Sequence, residues 1–454
     1  MSEIKEIPEG WSTIILEDML DYIQPTNFIV ASTEYDNRYK IPVLTAGKSF
    51  LLGYTNETDG IFSQLPAIIF DDFTTAIKWV NFPFKVKSSA MKILVPTHPD
   101  VNMKFVYYFM ETLRINTDTH KRYWISVGAK FPFPLPPLPE QHRIVAKIEE
   151  LFSRLGKGIE SLKTAQAQLK IYRQAVLKWA FEGKLTRQNR RLNGLKDDAD
   201  LETPPNKISE IHQSAKISDS EKGELPKGWE WRKLNAICKV IGGVTKGRDL
   251  TGKNTISLPY LRVANVQDGF LDLKEIKWIE VLASDLDKYR LNYGDILYTE
   301  GGDKDKLGRG TIWKNEIDNC IHQNHVFRAR PILNNIDSKF IAYYSQTKKA
   351  KDYFFSHAKQ TTNLASINLT ILSNLSLPLP SFQEQVSIVQ EIESRLSVCD
   401  KIEESIGTAL QQAEALRQSI LKKAFEGKLV PQDPNDEPAG ALLARIKAEK
   451  TKNA

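Results

Sequence analysis

One stretch of the chain carries a hydrophobic pattern that no ordinary domain helix needs. Ile144, Ile148, Leu151, Leu155, Leu162, Ala165, Leu169, Tyr172, Val176 and Trp179 step by three and four residues, with Gly158 in the one weak slot. That spacing is the a/d seam of a heptad repeat rather than the broader face of a globular helix. Pro139 suits a first helical turn, and Gly183 supplies the left-handed residue that commonly closes a helix. At 1.5 Å per residue, Ile144 to Trp179 spans roughly 54 Å, against a mean of about three turns for a helix in a globular domain.

The stretch occurs twice. Shifted by 244 positions, Pro134–Thr186 lies without a gap on Pro378–Val430. Glu140, Gln141, Ile144 and Val145 fall on Glu384, Gln385, Ile388 and Val389, and Arg173, Gln174 and Ala180–Leu185 fall on Arg417, Gln418 and Ala424–Leu429. The second seam is looser: Ile388, Ile392, Cys399, Ile402, Ile406, Ala409, Ala413, Leu416 and Ile420, with Arg395 out of pattern. Two apolar stripes of equal length in one chain most economically bury each other, with a dimerising coiled coil as the alternative.

The blocks before the helices repeat as well. Ile7-Pro8-Glu9-Gly10-Trp11 returns as Leu225-Pro226-Lys227-Gly228-Trp229. In the first block Ala67–Phe70 and Ala90–Val95 have the pattern of short strands. In the second, Asp295–Tyr298, Thr311–Trp313 and His325–Ala329 do, with a Gly-rich loop from Glu300 to Gly310 between the first two. Aromatic helical segments are expected at Val101–Leu113 and Phe340–Phe355, and each block returns through a Pro-spaced strand into its long helix. Residues 187–224 are rich in charge, Ser, Asn and Pro, the composition of a polar linker. The tail after Val430 is turn-rich and then forms a short amphipathic helix around Ala441–Lys450, for partner docking or as a plain surface helix.

Composition changes this picture little. With 454 residues and 41% hydrophobic positions, the chain can hold two or more domains with real cores. The net charge of +6 permits a nucleic-acid partner without requiring one. Cys238, Cys320 and Cys399 are far apart and lack CxxC spacing, which points to neither a disulfide framework nor a zinc site. The opening residues have no signal-peptide pattern and no apolar run reaches membrane-spanning length, so a cytoplasmic location is expected.

The doubled PLPxxxEQxxIV opening, the doubled RQxxLKxAFEGKL close, the P-x-GW phrase before each block and the DIL strand with its Gly-rich loop resemble the specificity subunit of type I restriction-modification systems. The resemblance covers essentially the whole chain. It implies an α+β fold in which two mixed α/β target-recognition domains are separated by two long antiparallel coiled-coil helices, with a pseudo-two-fold internal repeat. The boundaries are then 1–133 for the first recognition domain, 134–186 for the first spacer helix, 187–224 for the linker, 225–377 for the second domain, 378–430 for the second helix and 431–454 for the tail. It further implies a single copy that binds double-stranded DNA at a bipartite site. That copy would position two adenine-N6 methyltransferase subunits that use S-adenosylmethionine, and two motor-nuclease subunits that use ATP and Mg. The chain itself would need no cofactor. The alternative is a structural coiled-coil scaffold for protein partners without DNA specificity.

The residues agree in showing little chemistry. Asn81-Phe82-Pro83-Phe84 lacks the first proline of a methyltransferase motif, and Gly242–Gly247 has the wrong spacing to cradle phosphates. Asp268 with Glu275-Ile276-Lys277 can be fitted to a nuclease pattern, as many surface strands can. His322-x-x-His325 is the one spacing that suits a metal pair, and a non-metal role is expected. DNA contact needs Lys and Arg for phosphates, and Arg, Lys, Asn, Gln or Ser/Thr on loops for bases. On those grounds the candidates in the first block are Thr74, Thr75, Lys78, His120, Lys121 and Arg122. In the second they are Arg262 and Asn265 on a strand Leu261–Asn265, Lys304, Lys306 and Arg309 on the Gly-rich loop, and Gln360, Thr361 and Thr362. Glu140-Gln141 and Glu384-Gln385 are expected at helix starts and in subunit docking.

Overall fold

A computed structural model of the chain describes residues 7–45, 47, 49–113, 115, 123–187, 225–302, 307–360 and 365–453. The chain divides into two compact units, Met1–Leu162 with Thr408–Ala454, and Lys163–Gly407. Neither boundary falls between a block and its helix. Both fall inside the long helices, which run Leu138–Phe181 and Phe382–Phe425 and have 44 residues each.

The main sheet of the first unit has the order β2 (Leu20–Ile23), β8 (Met91–Pro96), β5 (Ala67–Asp71), β6 (Ile77–Val80), all antiparallel. Strand β5 is buried at every position because both of its faces are covered. Ile68 and Phe70 enter a core with the helix Met103–Met110, while Ala67 and Ile69 enter a second core under a smaller sheet. That smaller sheet is β4 (Leu51–Thr55), β3 (Ile41–Leu44) and β7 (Lys85–Val86), the last pair parallel. A ribbon of β1 (Ser12–Ile15) with β9 (Pro132–Leu135) leads into the long helix.

The second unit repeats the plan. Its ribbon is β10 (Glu230–Lys233) with β21 (Ser376–Leu379), and its main sheet is β11 (Cys238–Ile241), β18 (Val326–Pro331), β14 (Ile296–Thr299), β16 (Gly310–Ile312). Its smaller sheet is β13 (Lys277–Leu282), β12 (Thr255–Leu261), β17 (Ile321–His322), again with one parallel pair. An additional small sheet joins β15 (Gly301–Gly302), β20 (Ala365–Ser366) and β19 (Lys359–Gln360). Two expectations are corrected here. The segment Phe340–Phe355 is two helices, Ser338–Ser345 and Lys348–His357, because the Thr347 hydroxyl accepts from the Ala350 N–H and starts a new helix. The strand expected at Leu261–Asn265 stops at Leu261, and Val263–Asn265 is a 3-10 turn.

Each core is completed by the far end of a long helix. In the first unit Phe425 packs at 5.2 Å from Phe105 and 5.3 Å from Phe109, with Ile420, Leu421 and Ala424 beside it. In the second Phe181 packs at 5.0 Å from Phe340 and 5.1 Å from Tyr344, with Val176, Leu177 and Ala180. The glycine two residues beyond each phenylalanine, Gly183 at φ +70 and Gly427 at φ +67, takes the left-handed conformation that ends the helix. The tail helix is Ala439–Asn453, and it is no frayed appendage: Ala439, Leu442 and Ile446 are buried in the first unit's core, with Asp436 ion-paired to Arg143 at 2.6 Å.

The Trp and Glu that recur in the two repeats are partners. Trp11 Nε1 donates to Glu140 Oε2 at 3.0 Å, and Trp229 Nε1 donates to Glu384 Oε2 at 3.0 Å. Gln141 and Gln385 donate to the carbonyls of Pro136 and Pro380. These pairs lock strand to helix inside each unit. Glu140, Gln141 and Gln385 are about 1% exposed, which corrects the expectation that the Glu-Gln pairs serve subunit docking. The two locks differ in one atom. Thr186 Oγ1 donates to Glu384 Oε1 at 2.7 Å, whereas the matching residue in the first unit is Val430 and Glu140 Oε1 has no partner.

Along the middle of the long helices burial is partial. Cys399, Ile406, Ala413 and Ile420, spaced by seven, are buried, while Ile402 and Leu416 are exposed. A two-stranded coiled coil buries both seam positions of a heptad, so the line through Ile402 and Leu416 is left less covered than a full seam would be. In the first unit Leu155 and Leu162 line a groove with Ala409, Ala413 and Leu416, and in the second Arg173 pairs with Asp400 and Glu403.

Two outcomes are expected. Phe425→Ala should cost about 3–5 kcal/mol, with amide exchange rising in the first unit's core and not in the second's. Val430→Thr should give Glu140 its missing donor and raise the unfolding free energy by about 1.5 kcal/mol. Burial raises the Glu140 pKa above the ordinary carboxylate value, against the opposing Trp11 hydrogen bond. The protonated form therefore favours the fold at low pH, and that contribution is lost as pH rises through the raised value. Denaturant unfolding across this range should show a smaller loss in Val430→Thr.

Candidate nucleic-acid interface

In the first unit the β5–β6 turn carries Thr74 and Thr75, two of the residues expected at DNA. The Asp71 carboxylate accepts from the backbone N–H of Phe73 at 2.8 Å and of Thr74 at 3.2 Å, and Thr75 sits at φ +59. Thr74 is exposed and Thr75 is partly exposed. Both line an open cleft with Ile77, Glu111, Arg417 and Gln418, in which Arg417 is ion-paired to Glu111 at 2.7 Å. Lys78 stands apart on β6, its ammonium 6.0 Å from the Phe50 ring. His120, Lys121 and Arg122 lie outside the described residues.

In the second unit Arg309 donates to Gln267 Oε1 at 2.6 Å and so tethers the Gly-rich loop's end to a neighbouring turn. Lys304, Lys306, Thr361 and Thr362 lie outside the described residues, as does the side chain of Gln360. The backbone around them is informative. Gly302 and Gln360 both pair with Ala365, so the strands flanking these two expected clusters are neighbours in one sheet.

Asn265 takes a different place from the one expected. It is buried, its carbonyl oxygen accepts from the Arg262 N–H at 2.9 Å, and its amide donates to the carbonyls of Asp272 and Glu275 at 2.8 and 3.0 Å. Every strong polar direction of that side chain is used to hold the loop, which argues against base reading. Arg262 keeps an ion pair to Glu275 at 3.4 Å. Asp268 pairs with Lys351, and Glu275 also pairs with Lys277, so the carboxylates of the nuclease-like pattern are neutralised by lysines.

His322 and His325 point to different partners. His322 is fully buried with Nδ1 at 2.6 Å from the Val326 carbonyl, and burial pushes its pKa down to about 4, while His325 pairs with Glu300. Among the described residues no group of three His, Cys, Asp or Glu could hold a metal. No helix among them is long and apolar enough to cross a membrane. Gly243 is needed for close packing, since a Cβ there would lie 1.9 Å from the His322 carbonyl oxygen.

The two repeats match one family model, the type I restriction modification DNA specificity domain, over residues 8–168 and 226–412. The chain belongs to the type I restriction-modification DNA specificity family. It is 29% identical to the EcoR124I/EcoR124II specificity subunit of Escherichia coli, over 92% of this chain and 94% of that one. It is 27% identical to the EcoBI specificity subunit of Escherichia coli, over 98% and 93%. The fold is shared with a structure described as the basis of assembly and conformational transition of the type I R-M system (TM-score 0.63, 17% identity, 93% of this chain and 100% of that one). It is also shared with the HsdS subunit of Thermoanaerobacter tengcongensis (TM-score 0.50, 18% identity, 94% and 100%).

As a specificity subunit the chain recognises DNA sequence, and catalysis belongs to other subunits. Its two domains share a frame and differ within it as well as in their loops. By sheet register, Asp295, Arg328 and Arg330 of the second unit are the counterparts of Ala67, Ile93 and Val95 of the first. Arg330 binds Asp295 through Nε at 2.6 Å and Nη2 at 2.7 Å, and Arg328 donates to the Arg290 carbonyl. Sequence reasoning passed over these arginines because a strand arginine usually reads as surface. Here they are structural.

Asn265→Ala should leave the Asp272 and Glu275 carbonyls and the Arg262 N–H without their partner. We expect a loss of about 1–3 kcal/mol in the second unit, read by denaturant unfolding and localised by amide exchange.

Proposed function

We propose that the chain reads a split, asymmetric DNA site, with one half-site for each recognition domain, 1–133 and 225–377. The spacer helices at 134–186 and 378–430 pair antiparallel as a coiled coil, related with their domains by a pseudo-two-fold axis. The polar segment 187–224 links the halves and the tail 431–454 secures the first domain. The observation that carries this reading is the recurrence of one strand order and one Trp–Glu lock in two units whose surface loops differ. Two like frames present equivalent surfaces to the two strands of DNA, as dimers do on palindromes, and unlike loops make the two halves of the site unlike.

Thr74, Thr75 and Lys78 are assigned to the first half-site, and Arg262 and Arg309 to the second. The clusters His120–Arg122, Lys304 with Lys306, and Gln360–Thr362 flank the same surfaces in sequence. A single copy of the chain holds two methyltransferase and two motor-nuclease subunits in the cytoplasm. Ile171, Val398, Ile402 and Leu416, exposed on the long helices, suit docking of partner helices.

Single-molecule sequencing of host DNA for N6-methyladenine, with and without this chain beside its methyltransferase, should reveal one split motif that depends on the chain. Absence of any dependent motif would favour a protein-binding scaffold. The spacer is tested separately. At 1.5 Å per residue, one added heptad in each long helix should lengthen the gap by about 10 Å, roughly three base pairs, with both half-sites unchanged. Altered half-site letters would overturn the division of labour.

A further inference from the structure

Each unit exposes one phenylalanine at the same corner of its main sheet. In the first unit Phe73 is 57% exposed on the β5–β6 turn, whose backbone is held by Asp71. In the second unit the equivalent connection is the Gly-rich loop, which has no aromatic residue, and the phenylalanine comes from elsewhere in sequence. Phe270 is 61% exposed on the turn Gln267–Phe270, closed by the Gln267 N–H donating to the Phe270 carbonyl at 3.0 Å.

Two contacts put this second turn at the corresponding corner. The Gly269 N–H donates to the Gly310 carbonyl at 3.1 Å, and Gly310 pairs with Tyr298 as Ile77 pairs with Phe70. Gly269 also lies against the side chain of Gln346, the C-cap of helix Ser338–Ser345. In the first unit Thr74 and Thr75, next to Phe73, line a cleft with Glu111, the C-cap of helix Met103–Met110. The second turn is pinned further by Arg309 on Gln267 and by Lys351 on Asp268. Lys348 and Lys349 are exposed next along the chain from Gln346.

A single exposed phenylalanine is unremarkable on a protein surface. Two of them on pinned turns, from unrelated loops, at one corner of a repeated frame, do not help either core fold. Aromatic faces stack on bases, and apolar side chains wedge between base steps, while neighbouring lysines position phosphates. We propose that Phe73 and Phe270 are the base-stacking residues of the two recognition domains, each inserted against a base of its own half-site. This rests on the DNA-recognition reading.

The test uses the full chain assembled with its methyltransferase subunits, on duplexes carrying its motif with 2-aminopurine in one half-site at a time. Phe73→Ala and Phe270→Ala should each weaken specific binding by about 5- to 100-fold. Each should abolish the 2-aminopurine fluorescence change in one half-site only, and a different one. The slope of log affinity against log salt should stay as in the wild type, because no phosphate contact is lost. Phe→Trp at either position should retain binding, and unfolding midpoints should not move. Wild-type affinity and fluorescence in the Ala variants would overturn the stacking role alone. Loss of subunit assembly in those variants would overturn it in favour of a protein contact. A wild-type complex that binds no specific site would overturn the recognition reading and this inference with it.

Discussion

The aromatic plug at the end of each long helix is the constraint on which the rest depends. Phe425 completes the core that Phe105, Phe109 and Phe133 begin, and Phe181 does the same beside Phe340 and Tyr344. The first long helix therefore gives its opening residues Ile144 and Ile148 to one core and its closing residues to the other, and the second helix does the reverse. Burying such a ring is worth several kcal/mol, a large fraction of the net stability of a domain of this size. A segment ending at residue 133 would lack both Ile144 and Phe425, which pack in the same core.

The Trp–Glu lock serves the same end by fixing where each helix starts. Trp11 and Trp229 each give their one N–H to a glutamate in the first helical turn, and the adjacent glutamine donates to the carbonyl of the proline that follows the strand. Such buried polar groups are costly unless paired, which is why they specify the strand-to-helix joint so sharply. With both ends of each helix held, the loops between the strands are free to differ. The contrast of Ile93 and Val95 with Arg328 and Arg330 reaches into the frame itself. One unit uses apolar packing where the other uses an ion pair with Asp295, and the sheet order survives both.

Much of this was legible in the chain because periodicity and repetition report local structure directly. The seam from Ile144 to Trp179, the closing Gly183, and the strands at Ala67–Phe70 and Asp295–Tyr298 follow from side-chain period and turn chemistry. The break at Thr347 was hidden because a threonine inside an aromatic run also fits a continuous helix. Asn265 misled for a related reason: an asparagine on a loop serves equally as a base reader or as a loop clamp, and only the positions of the Asp272 and Glu275 carbonyls separate the two. Of the residues expected at DNA, Thr74 and Thr75 share a cleft and Lys78 lies elsewhere on β6.

By itself the sequence determined the doubled plan, the two helices of matched length and the absence of a recognisable catalytic motif, since each depends on order along the chain. Tertiary structure decided which pieces share a core: that Phe425 and the tail helix belong with the first block, and Phe181 with the second. It also decided that Glu140 is a buried lock rather than a docking residue, and that Phe73 and Phe270 occupy corresponding corners. These are contacts between residues tens to hundreds of positions apart. Hydrophobic burial is non-directional, so the pattern announces that a face must be covered while only the folded chain selects what covers it.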